Sequence, residues 1–189
     1  MTDLDPGSCA LLLMDFQNAI LAMAEDGPAV LERAVRARDA ARARGIAVMH
    51  VRVAFGEEDY KAVSPRNKSF SALKESRFLE DGTPPAAIHA ALAPSGDEEV
   101  FTKTRVGAFG TTALVARLAA RGIDTLVLAG IATSGVVLST LRDAADRDFR
   151  LFVLSDCCAD RDAEVHRVLM EKVFPRQAEV VMLRDFAAP

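Results

Sequence analysis

Three positions far apart in the chain each follow a run of residues that reads as a β-strand, and two of them are ionisable. Asp15 follows Cys9–Met14 (CALLLM), Lys103 follows Glu98–Phe101, and the turn Gly130–Val136 follows the apolar run Leu126–Ala129. Strands alternating with helices imply βαβ units and a parallel sheet, which sets all three positions at one sheet edge. A carboxylate and an amine meeting there would couple: the ammonium favours the ionised carboxylate, and the carboxylate can give or take a proton. Spacing alone leaves a plainer reading open, because Asp and Lys also end strands for solubility. The turn passes Thr133, Ser134 and Gly135, and from Val136 the apolar residues Val137, Leu141 and Ala144 recur at helical spacing. Open α/β sheets hold their ligands at the carboxyl ends of strands. The N–H groups of a helix start favour an anion or a developing oxyanion. The first helical position, where such an elbow often carries a nucleophile, holds valine, which can do no covalent chemistry.

The other chemistry-bearing residues each carry two readings. Gln17 contacts a substrate or caps the following loop. Phe16 and Phe109 line a pocket or pack in the core, and Thr133 offers its backbone or its hydroxyl. His50, inside a strand, reads as a packed core histidine, and His166 as structural. With three scattered histidines and no CxxC or HExxH, no metal site and no cofactor are predicted. Cys9, Cys157 and Cys158 are odd in number, and adjacent cysteines rarely bridge each other, which fits a reduced, cytoplasmic compartment. Cys158 could lie near the same sheet edge, whereas Cys9 begins a buried strand.

Stepping outward, Pro28 starts a helix with Asp26 or Gly27 near its N-cap, an inner stripe of Val30, Leu31, Ala34, Val35, Arg38 and Ala41, and Gly45 at its end. Ile46–Val53 is the second strand. Thr111 is predicted to cap a helix carrying Leu114, Val115 and Leu118, closed by Gly122. Helix 136–147, strand Arg150–Leu154, helix 163–174 and strand Glu179–Leu183 complete the alternation. The stretch 54–96 is irregular, with short helical segments around Ser69–Leu79 and Ala86–Leu92. Its Phe70, Leu73, Phe78 and Leu79 argue against disorder and for a lid or interface segment. The 189 residues fit one domain, 1–189. A net charge of −4 gives no footprint for nucleic acid. The arginines 33, 36, 38, 42 and 44 read as a solvated helix face. The acidic N-terminus lacks the positive region of a secretory signal, and no apolar stretch approaches the roughly 18 residues that span a membrane.

The segments LLLMDFQN, VFTKTRVGAFGTT, LVLAGIATSGVVLST and LSDCCADRDAEVH, in this order, resemble the isochorismatase-like hydrolases over roughly residues 9–184. The resemblance implies an α/β fold of three α/β/α layers around a six-stranded, mainly parallel sheet. It implies that Asp15, Lys103 and position 136 match a catalytic triad whose third member is ordinarily cysteine. It further implies substrate contacts by Phe16, Gln17, Arg105, Ala132 and Thr133, a non-proline cis peptide at Ala132–Thr133, and a dimer or larger homo-oligomer. Family amidases need a thiolate to attack a carbonyl, which Val136 cannot supply. Family isochorismatases without the cysteine hydrolyse a vinyl ether, an aspartic acid protonating the enol carbon and water capturing the oxocarbenium. The expectation is a cytoplasmic hydrolase of a small metabolite with Asp15 as acid/base and Lys103 as its electrostatic partner. The alternative is an inactive relative that keeps the pocket for a ligand or partner.

Overall fold

The computed structural model describes residues 4–188. Its elements run β1 (Cys9–Met14), α1 (Asn18–Leu21), α2 (Gly27–Ala43), β2 (Ala47–Val53), α3 (Glu57–Ala62), α4 (Lys68–Ser76), β3 (Glu99–Lys103), α5 (Leu114–Ala120), β4 (Thr125–Ile131), α6 (Leu138–Ala145), β5 (Arg150–Ala159), α7 (Ala163–Val168), β6 (Glu179–Val181) and α8 (Leu183–Phe186). The strands form one six-stranded sheet in the order β3-β2-β1-β4-β5-β6. Every pairing is parallel. The chain winds outward one way from β1 and the other way from β4, so β1 and β4 flank a topological switch point, where a crevice opens at the carboxyl ends of the strands.

β1 and β4 are buried along their whole length, as continuous apolar runs covered on both faces must be. Alternation along β1 assigns its side chains to two layers. Ala10, Leu12 and Met14 pack with Leu114, Leu118, Leu141 and Phe174 on one face. Cys9, Leu11 and Leu13 pack with Val30, Ala34, Ala37, Ala41 and Phe186 on the other. A third cluster packs Phe55, Tyr60, Phe70 and Leu79 of the 54–96 segment against Val53 at the end of β2. Among the described residues no helix is long and apolar enough to cross a membrane.

Several local expectations are corrected. The helix after β4 does not begin at Val136: a wide π-type turn spans Thr133–Val137 and regular helix starts at Leu138. The cis peptide lies one bond earlier than the resemblance implies, at Ile131–Ala132. β5 runs on to Ala159 rather than stopping at Leu154, because an irregularity in register lets Gly130 pair with Cys158. Thr111 caps nothing: its hydroxyl accepts the N–H of Thr104, while Thr112 accepts that of Leu114. The stretch around Ala86–Leu92 is two short 3-10 turns, Pro84–Ala86 and Ala90–Leu92, and the sixth strand ends at Val181. Helix 163–174 regularises only to Val168 and then widens over Leu169–Val173. The arginines of α2 are not merely solvated. Arg33 binds the Asp156 carbonyl, Arg38 the Ala91 carbonyl, Arg42 Glu98 and Ser95, and Arg44 the Phe186 carbonyl, tying the helix to neighbouring loops.

Candidate active site

β1 and β3 are second neighbours with β2 between them, so at about 4.8 Å per strand their ends stand roughly 10 Å apart. Only a long side chain spans that gap. Lys103 sits opposite Val53 at the end of β3, reaches across β2, and places Nζ 2.8 Å from Asp15 Oδ2. The ammonium also donates to the Arg105 carbonyl at 3.2 Å. Asp15 stands just beyond β1 with φ 60, the left-handed region that a residue with a Cβ enters at a cost. Its N–H is held by the Val51 carbonyl at 2.8 Å and its own carbonyl by the Gln17 N–H. The side chains are 2% exposed for Lys103 and 6% for Asp15, so this is a buried pair. Burial pushes the Asp15 carboxyl above the usual carboxylate range, and Lys103 pulls against that rise. Asp15 Oδ1 is buried without a hydrogen-bond partner, and a buried acceptor left unpaired is costly unless something else comes to it.

The pair forms the floor of a cavity of about 410 Å3. The turn after β4 gives one wall through Ile131, Ala132, Gly135 and Val136, and α1 and its flank give another through Ile20, Met23 and Ala24. The 54–96 segment lines it with Ser69, Phe70, Leu73, Phe78 and Leu79, and Val106 and Arg161 also line it. Gly130 lets β4 approach closely enough for this: a Cβ there would lie 2.8 Å from the Met14 carbonyl oxygen. The turn is braced from behind. Asp160 Oδ2 accepts the Ser134 N–H at 2.7 Å, and the Thr133 hydroxyl and His166 Nδ1 stand 2.8 Å apart.

Asp15, Lys103, Ala132 and Val136 therefore meet in one cavity, and the other sequence candidates fall elsewhere. Gln17 is fully buried. Its amide donates to the Val53 and Ala86 carbonyls and accepts the Val53 N–H, so it pins the 54–96 segment to β2 instead of facing a ligand. Phe16 packs in the layer with α2. Phe109 stacks on Phe149 in the opposite layer. Arg105 lies over the Phe70 ring and donates to the Thr104 carbonyl, outside the cavity lining. Thr133 is buried against His166. Of the N–H groups that the turn 132–136 was expected to offer, that of Ser134 is engaged with Asp160 and that of Gly135 with the Ala132 carbonyl, which also accepts the Val137 N–H. His50 is buried against Glu98 at 3.0 Å, as its strand position predicts. No described cysteine lines this cavity. Burial pushes the Cys9 and Cys158 thiols up to about 12 and Cys157 higher, the direction opposite to that of a reactive thiolate. No described group of His, Cys, Asp and Glu is arranged to hold a metal. The cavity-lining residues of 54–96 and Arg161 were missed as site residues by sequence reasoning; only the apolar content of the 54–96 stretch signalled the former.

Residues 9–185 match the model of the isochorismatase domain. The chain is 29% identical to a maleamate amidohydrolase of Pseudomonas putida, over 93% of this chain and 84% of that protein. It is 35% identical to the ureidoacrylate amidohydrolase RutB of Methylorubrum extorquens, over 80% of this chain and 70% of that one. Among solved structures it superposes on an isochorismatase family protein from Burkholderia thailandensis with a TM-score of 0.82 and 27% identity, over 97% of this chain and 95% of that chain.

Proposed function

The chain belongs to the isochorismatase family of hydrolases, and we propose that it hydrolyses a small vinyl ether with Asp15 as the proton donor and no covalent cysteine intermediate. One observation carries the reading: a buried Asp15–Lys103 pair, with one carboxylate oxygen unpartnered, floors a cavity that no described thiol lines. Two relatives are named amidohydrolases. In this chain an amide would find Val136 where the family resemblance has cysteine, and valine offers no electron pair.

The steps follow from the groups present. Asp15, its carboxyl pushed up by burial, gives its proton to the terminal carbon of the enol ether as the C=C electron pair moves to form that C–H bond. The positive charge collects on the adjacent carbon and ether oxygen as an oxocarbenium. The new carboxylate lies beside the Lys103 ammonium, which stabilises it. Water adds to the oxocarbenium carbon and returns a proton to Asp15, and the hemiketal breaks to a ketone and an alcohol. Residues 1–189 act as one domain in this reading, with 54–96 as the lid that excludes bulk water. The protein is also read as a homo-oligomer, checked by light scattering in solution.

The test is a panel of vinyl ethers and amides run with wild type, Asp15→Asn and Val136→Cys. Turnover of a vinyl ether that places one solvent deuteron on carbon in D2O, is lost in Asp15→Asn and survives a thiol-alkylating reagent supports the reading. Amide turnover destroyed by that reagent overturns it. Binding without turnover of either class assigns the chain to the inactive alternative.

A further inference from the structure

The turn that walls the cavity is held from its far side by two side chains, and one of them is an imidazole. Thr133 is fully buried, and among the described residues its hydroxyl has a single hydrogen-bond partner, His166 Nδ1 at 2.8 Å. A buried hydroxyl hydrogen needs an acceptor. That assigns the direction: Thr133 donates to an unprotonated Nδ1, and the ring keeps its proton on Nε2. The ring is set in place by α7, whose start is fixed by Asp162 accepting the Glu164 and Val165 N–H groups. One residue on from Thr133, the Ser134 N–H donates to Asp160 Oδ2 at 2.7 Å. Ala132, Gly135 and Val136, which line the cavity beside Asp15 and Lys103, belong to this turn or its cap. Behind the turn, His166 and Asp160 line a second cavity of about 300 Å3 with Glu25, Asp26, Arg33 and Asp156. The half-buried ring is thus open to solvent protons on that side.

Resting on the reading of the first cavity as the substrate site, we infer that His166 is a positioning residue: as a neutral imidazole it holds Thr133, and through it the wall 132–136, in alignment with Asp15. A proton added at Nδ1 ends this. The ring then donates where it had accepted, and the Thr133 hydroxyl hydrogen has no other acceptor among the described residues. The new charge also draws on Asp160, the carboxylate that holds Ser134. The charged groups around the ring are Asp156 of β5, Asp160 just beyond it, Glu25 and Asp26 ahead of α2, and Arg33 of α2. On α7 itself Glu164 and Arg167 are exposed. Burial disfavours the imidazolium and Asp160 favours it; burial prevails, so the ring titrates below its ordinary 6.5 and is neutral near pH 7. The wall is held at neutral pH and released in acid.

Amide hydrogen exchange followed by NMR tests the holding without any substrate. Near neutral pH, His166→Ala is expected to cost the Ser134 and Val137 amides about tenfold in protection, while the β1 amides keep theirs. His166→Asn puts Oδ1 in the place of Nδ1, an acceptor that does not titrate, and is expected to restore most of that protection. In wild type the same protection should fall as the ring gains its proton, with the midpoint of the ring's own 15N titration; in His166→Asn it should not. Turnover gives the second reading. The ratio of wild-type to His166→Asn kcat/KM for a vinyl ether cancels the titration of Asp15, which both share. It should be flat above neutrality and fall about tenfold through the ring's midpoint. A ring that takes its proton while protection or the ratio stays flat overturns the inference. So does a loss in His166→Ala that spreads equally through β1, or an Asn variant no better than the Ala one. Loosening of the turn with ring protonation, in a protein that turns over no vinyl ether, upholds the positioning role and refutes the reaction instead.

Discussion

Lys103→Met tests the buried pair most directly, because it leaves the Asp15 carboxyl in place and removes only its counter-charge. At 2.8 Å the two unit charges attract by about 6 kcal/mol at an effective dielectric of about 20. That figure does not become the stability loss, since the orphaned carboxyl escapes by taking a proton. The cost of keeping it neutral is measured against the unfolded chain, where the group titrates at 3.8. It grows by about 1.4 kcal/mol per pH unit above that value, to roughly 1.6 kcal/mol at pH 5 and a ceiling of about 4.4 kcal/mol at pH 7. The sign follows from a folded pKa that is raised. The stability is fully present below 3.8 and is lost as pH rises towards and through the folded value. Wild type carries part of this slope already; Lys103→Met steepens it. Urea unfolding of both proteins at pH 5, 6, 7 and 8 should therefore show a gap that widens with pH. The double variant Asp15→Asn/Lys103→Met, with neither group of the pair left to titrate, should lose the part of the slope that Lys103→Met adds and recover part of the stability. A gap that is constant from pH 5 to 8, or a double variant that keeps the slope added by Lys103→Met, would refute the reasoning that the two groups form one buried, electrostatically coupled unit.

Other outcomes follow from the same geometry. If Asp15 acts as a proton donor, kcat/KM for a vinyl ether should fall as pH rises through its raised pKa, so a profile that climbs across that range contradicts the role. Burial alone would raise Glu98, but Arg42, His50 and the Ser95 N–H together hold it at about 2, so its contribution is present above 4.5 and lost as pH falls through about 2. Glu98→Gln should cost about 1–3 kcal/mol near neutrality and flatten the acid limb of a far-ultraviolet circular dichroism titration. Gln17→Ala strands the Val53 N–H and the Val53 and Ala86 carbonyls. It should cost about 2–4 kcal/mol in urea unfolding and open 54–96 to limited proteolysis; cleavage elsewhere first would count against its role as a latch. Gly130→Ala drives a methyl to within 2.8 Å of the Met14 carbonyl oxygen and should lower stability by about 1–3 kcal/mol, read as a fall in Tm, with vinyl-ether turnover reduced alongside.

The sequence by itself determined the α/β alternation, the apolar runs that become β1 and β4, and the sheet edge that holds Asp15, Lys103 and the turn. Those features are written in local pattern: continuous apolar runs, helical periodicity and the residue type just past each strand. Ion pairing at 2.8 Å was decided by tertiary structure, because it depends on β2 lying between β1 and β3 and on a lysine long enough to cross it. The fate of Gln17 was decided there too. An amide two residues past a strand can face a ligand or a backbone, and only the approach of Val53 and Ala86 from 36 and 69 residues away fills all its hydrogen bonds. The same holds for the bracing of Ser134 by Asp160 and for the apolar lid, whose residues show no strong period and take their place only by packing over the pair. Residue type and spacing announce which groups are available for chemistry. Which of them remain unsatisfied once the chain has folded is a property of long-range packing, and among the buried side-chain atoms of the described residues it is Asp15 Oδ1 that does.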